Sequence, residues 1–280
     1  MNGANLADIG RRWQELIAAS PEYTIVPHDN IWRLGLSRHP VKASIFLDQQ
    51  QELSRLCHEY CNAYLEDCFA GEEKTNPEGE YFVITSQIHA PQISQNRQSL
   101  QSLFEHELTL VQGIGPAISR RLKTKGCKTL HHLAQTRRFG LSALKVLSVL
   151  RQEPIDLCRL CAARKGSAHP LTLLTSALFS PQSFRFVDIE TLGIFGRPII
   201  LIGLGSIKND ILSVKQYLLR DISEEAPALY AFVQEIADDA VLISFNGKSF
   251  DIPYIAERLA YYGLPPLPQL PHFDLLHPSR

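Results

Sequence analysis

Asp188 and Glu190 stand two residues apart in FRFVDIETLG, residues 184–193, a spacing that could do chemistry. The segment has the composition of a strand, where residues two apart project from the same face. Side by side among apolar neighbours, two carboxylates repel each other unless something positive lies between them. A divalent cation, with its preference for carboxylate oxygen, meets that need. A second group lies in SFNGKSFDIPYI, residues 244–255, where Asn246, Lys248, Phe250 and Asp251 follow the apolar run VLISF and lead into a helical pattern. Only if VLISF lies beside the first strand would Asn246 and Asp251 reach the sheet edge that carries Asp188 and Glu190.

The neighbouring elements decide whether that meeting can happen. After the first strand come PIILIGLGSI (198–207) and ILSVKQYLL (211–219), split by Lys208-Asn209-Asp210, which is hairpin spacing with a turn signal. SEEAPALYAFVQEIA opens with Ser223 and has acids in its first turn, the pattern of a helix start. VLISF reads as a short buried strand, and IPYIAERLAYYG as a second helix ending at Gly263. The order strand, strand, strand, helix, strand, helix predicts an α/β domain over residues 180–280.

Upstream the chain changes character twice. Residues 1–100 combine an amphipathic leading helix, strand-like runs at 23–26, 43–47 and 81–85, and a helix over LSRLCHEYCNAYLEDCF. A polar loop, AGEEKTNPEGE, is expected at 70–80, and the whole reads as an α/β accessory region without a catalytic motif. Residues 105–168 are helical and basic. Between Ile118 and Lys165, twelve Lys and Arg stand against two acids, Glu153 and Asp156, an electrostatic footprint for phosphates. Within it, LTLVQGIGPAISRRL predicts a helix, a turn at Gly113 and Gly115, and a second helix opened by Pro116. Backbone N–H groups exposed at that helix start suit an anion. Arg120, Arg121 and Lys123 add charge just behind them, and Lys125-Gly126 closes the helix before another begins at Thr129. The stretch from His169-Pro170 to 180–183 reads as a linker.

Bulk properties narrow the classes. The chain has 280 residues, 45% of them hydrophobic, and a net charge of −1, so nothing global draws it to anionic surfaces. No apolar run approaches the roughly 20 residues that span a bilayer. The leading segment lacks an apolar signal core, so a cytoplasmic protein with no membrane partner is expected. Cys57, Cys61, Cys68, Cys127, Cys158 and Cys161 should then be reduced thiols. Cys158-x-x-Cys161 has ligand spacing, but a structural metal centre needs two close pairs, and small buried hydrophobes are the better reading.

Two resemblances rest on these residues. The segment 108–122 with KGCKTLHHLAQ resembles the helix-hairpin-helix motif, which holds nucleic-acid backbone without reading its sequence. Asp188-x-Glu190 followed by Asn246-x3-Phe250-Asp251 resembles the first two motifs of the DEDD 3′–5′ exonuclease superfamily, on a ribonuclease H-like mixed sheet. With HFDLLHPSR at 272–280, the domain looks most like the YprB-type ribonuclease H-like domain. The resemblance implies two divalent ions, Mg2+ or Mn2+, roughly 4 Å apart. Asp188, Glu190 and Asp251 would ligate them, with Asp188 bridging both. Asn246 would meet the terminal nucleotide or orient a ligand, and Phe250 would pack beneath the site. Lys248 would face a phosphate or solvent, and Asp274 would be an auxiliary acid or a turn residue. The implied partner is nucleic acid, DNA or RNA, with a free 3′ end. The family's fourth carboxylate, on a late helix beside a His or Tyr, has no counterpart before Arg280, because His272 and His277 flank Asp274 too early. A domain incomplete at its C-terminal side is therefore expected, and a catalytically inactive nucleic-acid-binding adaptor is the alternative to a nuclease.

Overall fold

The computed structural model of the chain describes residues 5–19, 55–56, 58–90, 97–193 and 196–276. The runs at 23–26 and 43–47, together with Cys57 and His277, lie outside the described residues. The first part contains α1 (Leu6–Ala19), α2 (Leu65–Cys68), β1 (Gly71–Asn76) and β2 (Gly79–His89). A helical stretch follows, with α3 (Arg97–Glu105), α4 (Pro116–Thr124), α5 (Leu130–Ala134), α6 (Gly140–Val149), α7 (Pro154–Lys165) and α8 (Pro170–Leu174). The last part runs β3 (Phe184–Thr191), β4 (Ile199–Lys208), β5 (Ile211–Leu218), α9 (Glu225–Gln234), β6 (Val241–Ser244), α10 (Asp251–Tyr262) and β7 (His272–Asp274).

One seven-stranded sheet takes the order β1-β2-β5-β4-β3-β6-β7. β3, β4 and β5 form an antiparallel meander, and α9 carries the chain across so that β6 lies parallel to β3, as the element order implies. The β4–β5 turn uses Asn209 and Asp210, at φ 50° and 59°. Two successive left-handed residues are what a two-residue turn matched to strand twist requires. β6 is buried at every position, so it reads as a continuous apolar run rather than an alternating one.

The N-terminal part departs from expectation in two places. Residues 70–80 are not a loop: they form β1 and the start of β2, and β2 pairs antiparallel with β5, so the hairpin extends the meander. β1 is an edge strand whose Glu72, Glu73 and Lys74 face solvent. Charge on an exposed edge discourages pairing with another chain, and it is also what made the segment read as a loop. The helix expected over residues 53–69 breaks at 60–64. There Asn5 bridges Tyr64 and the Leu6 N–H donates to the Ala63 carbonyl at 3.0 Å. Trp13 of α1 reaches the sheet, donating from Nε1 to the Leu219 carbonyl at 3.3 Å.

The two faces of the sheet are covered differently. On one face, Val187, Ile189, Ile202, Leu204 and Tyr217 pack against Leu229 and Phe232 of α9 and Ile255 and Leu259 of α10. On the other, Phe184, Val241, Ile243 and Phe273 are covered by Cys158 of α7, Leu173 of α8 and Phe179. α7 also sends Leu157 and Cys161 into the core of the helical part, with Leu108, Leu110, Leu130 and Leu133. The basic helical part therefore rests on the sheet face to which Phe184, and by strand alternation Asp188 and Glu190, belong. Among the described residues, no helix is long and apolar enough to cross a membrane.

Candidate active site

β3 alternates cleanly: Val187 and Ile189 are buried, whereas Phe186, Asp188 and Glu190 are exposed on the opposite face. Asp188 stands across from Gly203, and Glu190 from Leu201, with a register shift just beyond at Thr191. Asp251 is the first residue of α10 and is only 4% exposed. Its Oδ1 accepts the Ile189 N–H at 3.0 Å, so this carboxylate is pinned to the backbone between Asp188 and Glu190. Burial pushes the Asp251 carboxyl above its ordinary range. The Ile189 N–H opposes that rise, and the charges of Asp188 and Asp274 reinforce it.

Among the described residues, Asp188, Glu190 and Asp251 form no ion pair with a Lys, Arg or His. Asp188, Glu190 and the pinned Asp251 offer hard carboxylate oxygens, the ligand type that a divalent cation takes. They are not drawn into a closed cage: among the described residues, no three His, Cys, Asp or Glu side chains converge as a ready cation cluster.

The loop from β6 to α10 is shaped by its neighbours. Asn246 sits at φ 67°, a conformation that Asn tolerates better than most residues, and its carbonyl accepts from Ser249 and Phe250. A side chain at Gly247 would overlap the Ser244 side chain, so only glycine lets the loop fold back on β6. Asp274 of β7 clamps this turn. Its Oδ1 accepts the Asn246 N–H at 2.8 Å and the Leu276 N–H at 3.0 Å, while Oδ2 accepts the Lys248 N–H at 2.9 Å. Burial alone would raise the Asp274 carboxyl, but these three N–H groups outweigh it and hold the acid below its usual range. Phe250 packs against Tyr254 with ring centroids 5.4 Å apart. The half-buried Lys248 ammonium lies within electrostatic reach of Asp274 and of Cys158 on α7; burial lowers its affinity for a proton.

Three contributors lay beyond sequence reasoning. Tyr254 donates its hydroxyl hydrogen to the Arg197 carbonyl at 2.8 Å and accepts the Arg197 N–H at 3.0 Å, tying α10 to the segment that follows β3. Ser244 Oγ lies 2.7 Å from His272 Nε2. The buried pair Glu225–Arg258, at 2.6 Å, fixes α10 against α9. Charged residues at helical spacing signal solvent rather than burial, so no pattern in the sequence marks that pair.

His272 makes the loop's support sensitive to acid. Burial, helped by Lys248, pushes its imidazole down to about 4 from 6.5. The unfolded chain therefore takes up a proton at His272 below pH 6.5, which the folded chain resists until about pH 4. The associated stability is complete above pH 6.5 and is lost as pH falls through that window. Thermal unfolding followed from pH 7 to 4 should show a steeper loss of Tm in the wild type than in His272→Gln.

Gly203 lies opposite Asp188, β6 runs parallel to β3, and Asp251 is fixed to the β3 backbone between the two exposed acids. The model of the RNase_H superfamily matches residues 185–280. The mixed α/β fold described for that span agrees with the match. The chain is also similar to the uncharacterized protein YprB of Bacillus subtilis, 36% identical over 122 residues, which is 42% of this chain and 29% of that protein. It is 37% identical over 71 residues to the PolC-type DNA polymerase III of Ureaplasma parvum, or 25% of this chain and 5% of that protein. The chain thus spans under a third of the length of either relative. Nucleases with a ribonuclease H-like domain generally use divalent metals.

Proposed function

We propose that the chain is a metal-dependent nuclease that hydrolyses phosphodiester bonds of DNA or RNA from a free 3′ end, in the cytoplasm. One observation carries this reading: Asp251 is buried onto the backbone of β3 between two exposed acids. Asp188, Glu190 and Asp251 would hold two divalent ions, Mg2+ or Mn2+. Bound there, the ions supply the positive charge that activates the attacking water and steadies the leaving oxygen. The protein's own contribution is positioning. The Ile189 N–H fixes one oxygen of Asp251, and Asp274 fixes the Asn246–Lys248 turn, from which Asn246 would meet the terminal nucleotide. The Lys248 ammonium lies within electrostatic reach of Cys158 on α7.

The basic helical part would deliver the strand. α4 is opened by Pro116 behind a turn in which Gly113 has φ 82°, and the space around Gly113 and Gly115 is open. The helix expected before the turn is only the single turn Leu108–Leu110, so the glycine turn and α4 alone support the helix-hairpin-helix reading, with Gly113, Gly115, Arg120, Arg121 and Lys123 against phosphates. Of the cations between 118 and 165, Arg159 and Lys165 have carboxylate partners among the described residues, which leaves the others to meet an external anion.

Incubating the chain with 3′-labelled single strands and Mg2+ or Mn2+ tests the proposal. Metal-dependent release of 3′ nucleotides is expected, and intact strands under every metal condition would refute it. The second reading is a binding adaptor with an inactive nuclease fold, and the unclosed acid cluster favours it. Stability offers an independent check. Asp251→Asn keeps an acceptor for the Ile189 N–H but removes a buried, repelled charge. Without metal it should raise stability by about 1 kcal/mol, read as a Tm gain of a few degrees, while removing cleavage.

A further inference from the structure

Beside the Gly113 turn lies a cavity of about 170 Å³ that neither the acid site nor the hairpin uses. Gln112, Ser142 of α6, Lys145 of α6 and Arg164 of α7 supply its polar lining, with Val149 and Leu160 among the apolar residues, and no Asp or Glu lines it. Arg164 spends one N–H on Gln112 Oε1, at 3.4 Å. Lys145 makes no ion pair among the described residues. An ammonium and a forked guanidinium meeting at one concavity repel each other, and the arrangement is relieved by an anion that accepts from both. Gln112 can rotate its amide to donate to the same anion, and Ser142 brings a hydroxyl donor.

We propose that this cavity holds a phosphate group of a nucleic acid, one contact removed from the Gly113–Gly115 turn because Gln112 immediately precedes Gly113. The inference rests on reading the basic helical part as a nucleic-acid contact, and it adds a phosphate subsite that the turn alone does not provide. The apolar residues suit the sugar attached to that phosphate. A terminal phosphate monoester and an internal phosphodiester share the chemistry, so both sources are tested.

The experiment is fluorescence anisotropy with the full chain and labelled single-stranded oligonucleotides in EDTA, with and without a 5′-terminal phosphate, at several salt concentrations. Working without divalent ions separates this subsite from the nuclease proposal, which Asp188→Ala tests and this assay does not. Lys145→Ala with Arg164→Ala should weaken binding about tenfold, as expected for losing charge-assisted contacts. The salt slope should fall by about 0.7 for the lost phosphate. Both side chains are exposed, and an unchanged circular dichroism spectrum and Tm would confirm that the variant folds. A loss confined to the 5′-phosphorylated strand assigns the terminal phosphate, and an equal loss on both strands assigns an internal one. Unchanged affinity and slope in the variant would overturn the proposal, as would a wild type that binds neither strand.

Discussion

Asp188→Ala should lower metal-dependent cleavage by about a thousandfold or more while leaving the fold intact. The size follows from the charge stabilisation that a cation supplies, several kcal/mol, at one factor of ten for each 1.36 kcal/mol. The tolerance follows from position: Asp188 is exposed on β3, and no ion pair holds it among the described residues. Its removal even relieves the repulsion it exerts on buried Asp251, so Tm should hold steady or rise slightly. Glu190→Ala should behave alike, and combining the two should add little, because ligands of one site fail as a unit. Asp238→Ala, an exposed acid ahead of β6, serves as the control and should keep full activity. Retained cleavage in Asp188→Ala would remove Asp188 from the chemistry.

Glu225→Ala should instead strike stability, costing about 3–5 kcal/mol, because it removes the carboxylate that a buried guanidinium faces. Arg258 is 3% exposed and Glu225 fully buried. Arg258 donates to both oxygens of Glu225, at 2.8 and 2.6 Å. The same carboxylate accepts the Ile199 N–H at 2.9 Å and the Tyr262 hydroxyl at 2.8 Å, so three donors lose an acceptor together. The Arg258 guanidinium, 4.4 Å over the Tyr261 ring, finds partial compensation there. Replacing both partners, Glu225→Met with Arg258→Met, should recover the part of the loss due to the guanidinium, while the Ile199 N–H and the Tyr262 hydroxyl still lack this acceptor. Denaturant unfolding measures both variants, and equal instability in the single and the double would contradict this account. The pair bears on the site because α10 presents Asp251 from its first turn.

The parts of the molecule that were legible in the sequence are those where one local rule acts alone. β3, β4 and β5 alternate or run apolar between turn residues, and Lys208-Asn209-Asp210 announces a turn whose left-handed positions Asn and Asp fill. The side-by-side placement of Asp188 and Glu190 follows from strand parity, and the parallel β6 from the helix inserted before it. What escaped reading depends on partners distant in sequence. β1 and β2 join the sheet through β5, some 130 residues downstream, and the edge strand's charges imitate a loop. The break at residues 60–64 exists because α1 docks there. Asp274 could be named as an acid near the site, but its grip on three backbone N–H groups depends on a turn folding back over β7. The Glu225–Arg258 pair was invisible for the same reason.

The most direct measurement is a calorimetric titration of the metal-free chain with Mn2+, repeated on Asp188→Asn and Asp251→Asn. Saturable binding in the wild type, abolished or strongly weakened in both variants, is the expected result, since the two side chains would grip the same ions from β3 and from α10. Heats absent in the wild type, or unaltered by either substitution, would contradict the claim that these acids meet to bind cations.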